Sequence, residues 1–271
     1  MNHKVLLLFD NNGREYVARI TAAARQYAAA HRLQLVHENV FETRRGVLDA
    51  LMAHQFDGLM LTPPVSDDRD VLFEVSKRNT PTVRIAPLLD LSRNDLVTMD
   101  EFDASRSIVD HLIEKGHKRI GFIRGPRTHL VSIRRYNGYA AAVGKISSRI
   151  DPSLVTEGDF SRQSGRDVAP KLFAAKPTAI FASNDEMAAG VIDAAGEAGM
   201  SVPRDLSVVG FDDNAVAKSV RPGLTTVRQP LEEMTEQACR LLAERLRNPA
   251  RQNDQVDVPF EIMERGSVQA I

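Results

Sequence analysis

The stretch TAIFASNDEMAAGVIDAAGEAGMSVPRDLSVVGF, Thr178–Phe211, decides the fold. It opens on a short apolar run, Thr178–Ala182, halted by Ser183, Asn184 and Asp185. An alanine-rich segment follows, Glu186–Ala198, long enough for a helix. Gly199 and Pro203 punctuate the chain before a second apolar run, Leu206–Phe211. A short strand, a helix of about 13 residues and a second strand form a βαβ unit, whose strands lie parallel in one sheet.

The same cycle extends in both directions. Upstream, the sequence predicts strands at Arg119–Ile123 and Leu154–Glu157, and helices at Ser132–Val143 and Arg162–Ala175. Pro170 inside the last of these predicts a kink or an early stop. Downstream come a helix at Leu231–Arg247 and one strand near Val256–Ile262. The first hundred residues repeat the rhythm. Strands are expected at Val5–Phe9, Leu33–His37, Gly58–Leu61, Thr82–Ile85 and Leu96–Met99. Helices are expected there at Glu15–Ala30, Thr43–His54 and Asp70–Arg78, and a helix at Asp103–Lys115 restarts the cycle. Several strands are continuous apolar runs, as parallel strands covered on both faces should be. The fold class is therefore α/β, with two doubly wound parallel-sheet lobes.

At 271 residues the chain suits two domains better than one. It is 43% hydrophobic and 26% charged, which excludes a disordered chain. The net charge of −1 gives no general attraction to nucleic acid. A single cysteine, Cys239, allows neither an intrachain disulfide nor a cysteine zinc cage, and its place in an amphipathic helix reads as a buried structural thiol. No apolar run is long enough to span a membrane, and the opening MNHKVLLLFDNN lacks the pattern of a signal peptide. The expected location is the cytoplasm, with no membrane partner.

Signatures of catalysis are missing. The chain contains no GxGxxG after the first strand, no GxxxxGK[ST] and no GxSxG. His111 and His117 straddle a helix stop, so a metal pair is not expected. The run Ser66–Asp70 lacks the glycine and distal glutamate of a calcium loop. No cofactor and no enzymatic activity are expected. One charge anomaly stands out: Lys115–Ile150 holds nine Lys or Arg and no Asp or Glu. It reads either as a phosphate-tracking stripe or, more simply, as cations at a helix C-terminus with part of the cluster facing a pocket.

In open α/β sheets, ligands bind beyond the carboxyl ends of the strands. The residues found there are Asp10, Asn11, Tyr16, Thr62 and Arg84 in the first half of the chain. In the second half they are His129, Ser132, Arg135, Phe160, Asn184, Asp185, Asp212 and Asp213. Amide, carboxylate and guanidinium groups with two aromatic rings suit a neutral polyhydroxylated ligand. Asn184 and Asp185 could equally cap the helix behind them, and Asp212 and Asp213 could end a strand and cap a short one.

Seven motifs in register carry a resemblance: GHKRIGFIRGP (Gly116–Pro126), RRYNGY (Arg134–Tyr139), EGDF (Glu157–Phe160), PTAIFASNDEMAAG (Pro177–Gly190), VPRDLSVVGFDD (Val202–Asp213), LTTVRQP (Leu224–Pro230) and ERGS (Glu264–Ser267). Together they resemble the effector-binding core of the lactose-repressor/galactose-repressor (LacI/GalR) family of bacterial transcription regulators, most weakly over the first hundred residues. The resemblance implies a periplasmic-binding-protein-like fold with three crossover segments joining the lobes. The expected lobes are residues 1–100 with 230–252, and 101–229 with 253–271. It also implies a homodimer and a small-molecule effector held in an interlobe cleft, a mono- or oligosaccharide first, with a purine or other metabolite open.

Carried over by motif, Arg135, Phe160, Asn184 and Asp212 would hold the effector from one lobe, with His129 beside them. Asn11, Tyr16 and Arg84 would close on it from the other. Two departures qualify this. Family members carry a helix-turn-helix headpiece that binds DNA ahead of this core, and it is expected to be missing from this chain. The loop Asn12–Tyr16, and Ala86–Pro87 after the fourth strand, differ from the usual family residues, so the first-lobe half of the pocket is atypical. The expected role is effector sensing for a DNA-binding regulator. A stand-alone solute-binding protein of a sugar transporter is the alternative.

Overall fold

The computed structural model describes residues 3–271. In chain order its elements are β1 (His3–Phe9), α1 (Arg14–Ala30), β2 (Leu33–Asn39), α2 (Val40–Thr43), α3 (Val47–Ala53), β3 (Gly58–Leu61), α4 (Arg69–Lys77), β4 (Thr82–Ile85), β5 (Asp95–Thr98) and α5 (Glu101–Glu114). They continue as β6 (Ile120–Arg124), α6 (Leu130–Val143), β7 (Val155–Glu157), α7 (Arg162–Ala174), β8 (Ala179–Ala182), α8 (Asp185–Glu197), β9 (Ser207–Asp212), α9 (Ala215–Ser219), β10 (Thr225–Arg228), α10 (Leu231–Arg247), β11 (Gln255–Asp257) and β12 (Glu261–Met263).

The chain divides into two compact units. The first holds the residues up to Met99 together with Pro230–Pro259, and the second holds Asp100–Gln229 with Phe260–Ile271. Each is built on one six-stranded sheet, ordered β11-β5-β4-β3-β1-β2 in the first and β12-β10-β9-β8-β6-β7 in the second. All pairings are parallel except β10 with β12, so the architecture is α/β and doubly wound in both units.

In the first unit, Val5–Phe9 of β1 are wholly buried. Each such side chain contributes about 1.5–3 kcal/mol relative to exposure, which is why this run forms a central strand. On one side Leu6, Leu8, Leu59 and Leu61 meet Ala50, Leu51, Val71 and Val75 of α3 and α4. In the second unit Phe122 stacks on Tyr139 with centroids 4.8 Å apart, and the Tyr139 hydroxyl donates to the Ile120 carbonyl at 2.9 Å. The other face of that sheet is covered by alanines and methionine of α8, with Leu172 of α7.

Several elements differ from expectation. The single helix expected over Thr43–His54 is two, because Arg44 takes a left-handed conformation (φ 55°) and Gly46 is the extended residue that starts α3. Helix α7 runs through Pro170 without stopping. Its start is fixed by Ser161, whose side chain accepts from the Ser164 N–H, and the missing proline donor falls in the last two turns. The one strand expected near Val256–Ile262 is also two. β11 pairs with β5 in the first sheet and β12 with β10 in the second. The last passage between units therefore falls after Pro259, not between 252 and 253.

The basic run Lys115–Ile150 is largely neutralised by acids from elsewhere in its own unit. Lys115 pairs with Glu264, Arg119 with Asp151, Arg124 and Arg127 with Glu157, Arg135 with Glu101, and Lys145 with Asp110. A phosphate-tracking stripe would need these cations free, so the simpler reading of the anomaly is the better one. Cys239 lies fully buried in α10, where burial pushes its thiol up to about 12, as befits a structural residue. Among the described residues, no helix is long and apolar enough to cross a membrane.

Candidate functional site

In the second unit, five of the expected residues form a connected set at the carboxyl ends of β6, β7, β8 and β9. Asn184 is the N-cap of α8: its Oδ1 accepts from the Met187 N–H at 3.0 Å. Its Nδ2 donates to the Phe160 carbonyl at 2.8 Å, which ties the β7–α7 loop to the end of β8. Phe160 sits in a left-handed conformation (φ 70°) that turns its ring back over Gly125. A Cβ at position 125 would lie 2.1 Å from the ring, so only glycine permits this seat. His129, the N-cap residue of α6, meets Phe160 edge-on with centroids 5.7 Å apart.

Arg135 and Asp212 complete the set. The Arg135 side chain is 5% exposed and lies over the Phe211 ring at 3.7 Å. Its Nε donates to Glu101 at 2.8 Å, and a second terminal nitrogen reaches the same carboxylate at 3.3 Å. The remaining terminal nitrogen donates to the Ser183 carbonyl at 2.5 Å and lies 3.7 Å from Asp212 Oδ1. Burial works against the Arg135 charge, but the carboxylates of Glu101 and Asp212 outweigh it and hold the guanidinium above its ordinary value. Asp212 accepts from Gln229 Nε2 at 2.5 Å and keeps its side chain 25% exposed.

Two residues here, Glu101 and Gln229, were not foreseen, and Asp185, expected at the strand end, takes an unexpected place. Glu101 opens α5, and its contact with Arg135 lies 34 residues away in sequence, so no local pattern reveals it. Gln229 follows β10 and braces Asp212. Asp185 is completely buried, with Oδ2 accepting from the Asn214 N–H and Oδ1 within 2.5 Å of the Thr226 hydroxyl. Burial, with Asp212 nearby, pushes its carboxyl well above the usual carboxylate range. Asp213, by contrast, is held in ion pairs with Arg228 and Arg265, and Asn214, not either aspartate, caps α9. Ser132 is buried.

The first unit holds the other three expected residues. Asn11 is half-buried in the β1–α1 loop, where its Oδ1 accepts from the Gly13 N–H at 2.7 Å. Asn39 grips its backbone from both sides, accepting from the Asn11 N–H and donating to the Asn11 carbonyl. Tyr16 is half-buried in the first turn of α1. Thr62 is buried, its hydroxyl donating to the Leu8 carbonyl at 3.1 Å.

Arg84 requires correction. Expected to grip a ligand, it is fully buried and engaged with its own unit. It donates to the carbonyls of Ser66, Leu89 and Asp90 and to the Asp67 carboxylate. Asp67 in turn accepts from the N–H groups of Leu88 and Leu89. The pair is a clasp for the β4–β5 loop. Burial draws the Arg84 guanidinium below its ordinary value while Asp67 counters it, and a guanidinium stays charged throughout.

The second-unit set can present a carboxylate acceptor, an aromatic face and an amide-stabilised loop to a hydroxylated ligand. No residue pair in it has the geometry of a nucleophile and its base. Among the described residues, no group of three or more His, Cys, Asp or Glu could hold a metal ion.

Comparison with known proteins shows what the chain as a whole is similar to. Residues 109–268 match the family described as "Periplasmic binding protein-like domain". The chain is 32% identical over 225 residues to catabolite control protein A of Priestia megaterium, covering 82% of this chain and 67% of that one. It is 30% identical over 262 residues to the transcriptional repressor PurR of Pasteurella multocida, covering 94% and 78%. Among solved structures, the transcriptional regulator CelR in complex with cellobiose superposes with a TM-score of 0.86 at 27% identity, over 97% of this chain and 84% of that one.

Proposed function

The chain belongs to the lactose-repressor/galactose-repressor family of transcriptional regulators, and we propose that it is the part of such a regulator that senses a small-molecule effector, in the first instance a sugar. The observation that carries the reading is the linked set of Asp212, Arg135, Asn184, Phe160 and His129 at the strand ends of the second unit. A partly exposed carboxylate accepts from sugar hydroxyls, and an aromatic ring stacks on the apolar face of a pyranose or furanose. Arg84 is not a ligand contact in this reading, since its donors serve the β4–β5 loop.

The effector acts by population shift. It biases the regulator only by the difference between its affinities for two conformations, typically about 1–3 kcal/mol. In this reading the protein works as a cytoplasmic homodimer without catalysis, and the effector changes dimer geometry and so operator affinity through a DNA-binding headpiece. The test is calorimetric titration with D-ribose, D-glucose, D-galactose and cellobiose. Saturable binding of at least one supports the reading, and binding of a purine base with no sugar binding contradicts the sugar assignment. A monomer at tens of micromolar in the ultracentrifuge would contradict the dimer.

A further inference from the structure

We propose that the second unit carries a further site, for a small phosphate ester, at the amino ends of its strands. It lies at the opposite end of that sheet from Asn184, Phe160 and Asp212, and it does not depend on the sugar reading.

An open hollow of about 620 Å³ is lined there by Arg119, Ser153, Lys171, Ala174, Ala175 and Lys176. Pockets that take small molecules run from about 300 to 1,000 Å³. Arg119 stands just before β6, Ser153 just before β7, and Lys176 between α7 and β8. All six residues belong to the second unit.

Arg119 is held in place as a fork. Its Nε donates to the Ala175 carbonyl at 2.7 Å, and one terminal nitrogen donates to Asp151 at 2.9 Å. Three of its five N–H groups remain, and the side chain is 44% exposed. Both Asp151 oxygens are engaged, one by Arg119 and the other by the N–H and hydroxyl of Ser153. Lys171 and Lys176 are exposed, and among the described residues neither ammonium has a hydrogen bond or an ion pair. Asp167, one turn before Lys171, accepts from Gln163 instead. Three cations thus meet one carboxylate.

The helix end accounts for part of this charge. A cation in the last turn offsets the helix dipole, and Lys171 is in the last turn of α7. Lys176 has no such explanation. It lies past the cap residue Ala175 in a left-handed conformation (φ 51°), where glycine is the usual residue. The chain accepts a strained backbone there and adds a third positive charge to the hollow. A phosphate group answers that arrangement: its oxygens accept from the Arg119 fork and from both ammonium groups, and its charge offsets their mutual repulsion. The hollow leaves room for the organic part of an ester.

The test is calorimetry on the full chain in low salt, with ribose 5-phosphate and adenosine monophosphate in separate arms and D-ribose beside them. At least one phosphate should bind saturably, the tighter of the two showing whether a sugar phosphate or a nucleotide is preferred. Raising salt from 50 to 300 mM should weaken it at least threefold. The double variant Lys171→Gln, Lys176→Gln should weaken it at least tenfold and leave the response to D-ribose unchanged. Lys171→Arg with Lys176→Arg should stay within threefold of wild type. Both lysines are exposed, and a thermal melt matching wild type confirms that the variants are folded. Saturable binding of neither phosphate overturns the proposal, as does a glutamine variant that binds the phosphate as tightly as wild type.

Discussion

Replacing Arg84 with methionine separates the two roles that this residue could have. As a ligand contact it would be dispensable for folding; as the clasp of the β4–β5 loop it would not. The structure gives the cost. Arg84 is 0% exposed, and the substitution leaves the carbonyls of Ser66, Leu89 and Asp90 without their donors. It also leaves the Asp67 carboxylate, 9% exposed, without its counter-ion. Breaking a buried ion pair from one side costs about 3–5 kcal/mol. Asp67 keeps the Leu88 and Leu89 N–H groups, which places the cost toward the lower end. At about 2–4 °C per kcal/mol for a chain of this size, the melting temperature should fall by roughly 6–16 °C. Arg84→Lys keeps the charge without the fork and should lie between. Scanning calorimetry and urea unfolding measure the loss, and titration of the folded variant with the bound sugar should give an affinity within threefold of wild type. Stability within about 1 kcal/mol of wild type, joined to a tenfold loss of affinity, would refute the clasp and restore Arg84 as a ligand contact.

Other outcomes follow from the same geometry. Gly125→Ala puts a methyl group 2.1 Å from the Phe160 ring, so it should cost about 1–3 kcal/mol of stability and displace the ring enough to weaken sugar binding tenfold; unchanged affinity would detach Phe160 from the site. Asp185 has a raised carboxyl pKa in the folded protein, so stability is lost as pH rises from its unfolded value near 4 toward the folded one. Asp185→Asn should therefore be more stable than wild type at pH 7, by about 1.4 kcal/mol for each unit of the upward shift, with the gain fading near pH 4. An equal difference at both pH values would contradict this. His117, buried between Thr178 and the Gln269 carbonyl, has a lowered pKa, so its neutral form supports the fold above about pH 6.5 and that support is lost as pH falls. His117→Gln should show a shallower loss of stability between pH 7 and 5, and parallel profiles for the two proteins would count against it.

The alternation of strands and helices was legible because each apolar run is bounded by residues that cannot extend a strand. Ser183, Asn184 and Asp185 after β8 are one case, with Asn184 ending as the helix cap its type suggested. Where the reading slipped, a local signal was outweighed. Gly46 interrupts the amphipathic run over Thr43–His54 and marks the start of α3, but four apolar residues on one face hid it. Pro259, which has no N–H for a ladder, separates β11 from β12 and so marks where the chain leaves the first sheet.

The candidate site was legible by residue type and position, not by what each residue contacts. Phe160, Asn184 and Asp212 lie at or just past strand ends, where the parallel-sheet rule puts ligand contacts, and Arg135 reaches Asp212 from α6. That Arg84 is enclosed by its own loop, and that Arg135 is matched by Glu101, depends on contacts 17–18 and 34 residues away in sequence. A charge pair of that kind leaves no mark on local composition or spacing.

The most direct test of the whole account is calorimetry of Asp212→Asn against wild type with whichever neutral sugar binds. Asp212 is the partly exposed carboxylate of the set, and asparagine preserves its size and an acceptor for Gln229. Loss of a charge-assisted hydrogen bond to a sugar hydroxyl should weaken binding by about 1.5–3 kcal/mol, a factor of roughly ten or more, with the fold intact. Affinity equal to wild type in a folded Asp212→Asn protein would mean that the effector does not bind at the strand ends of the second unit.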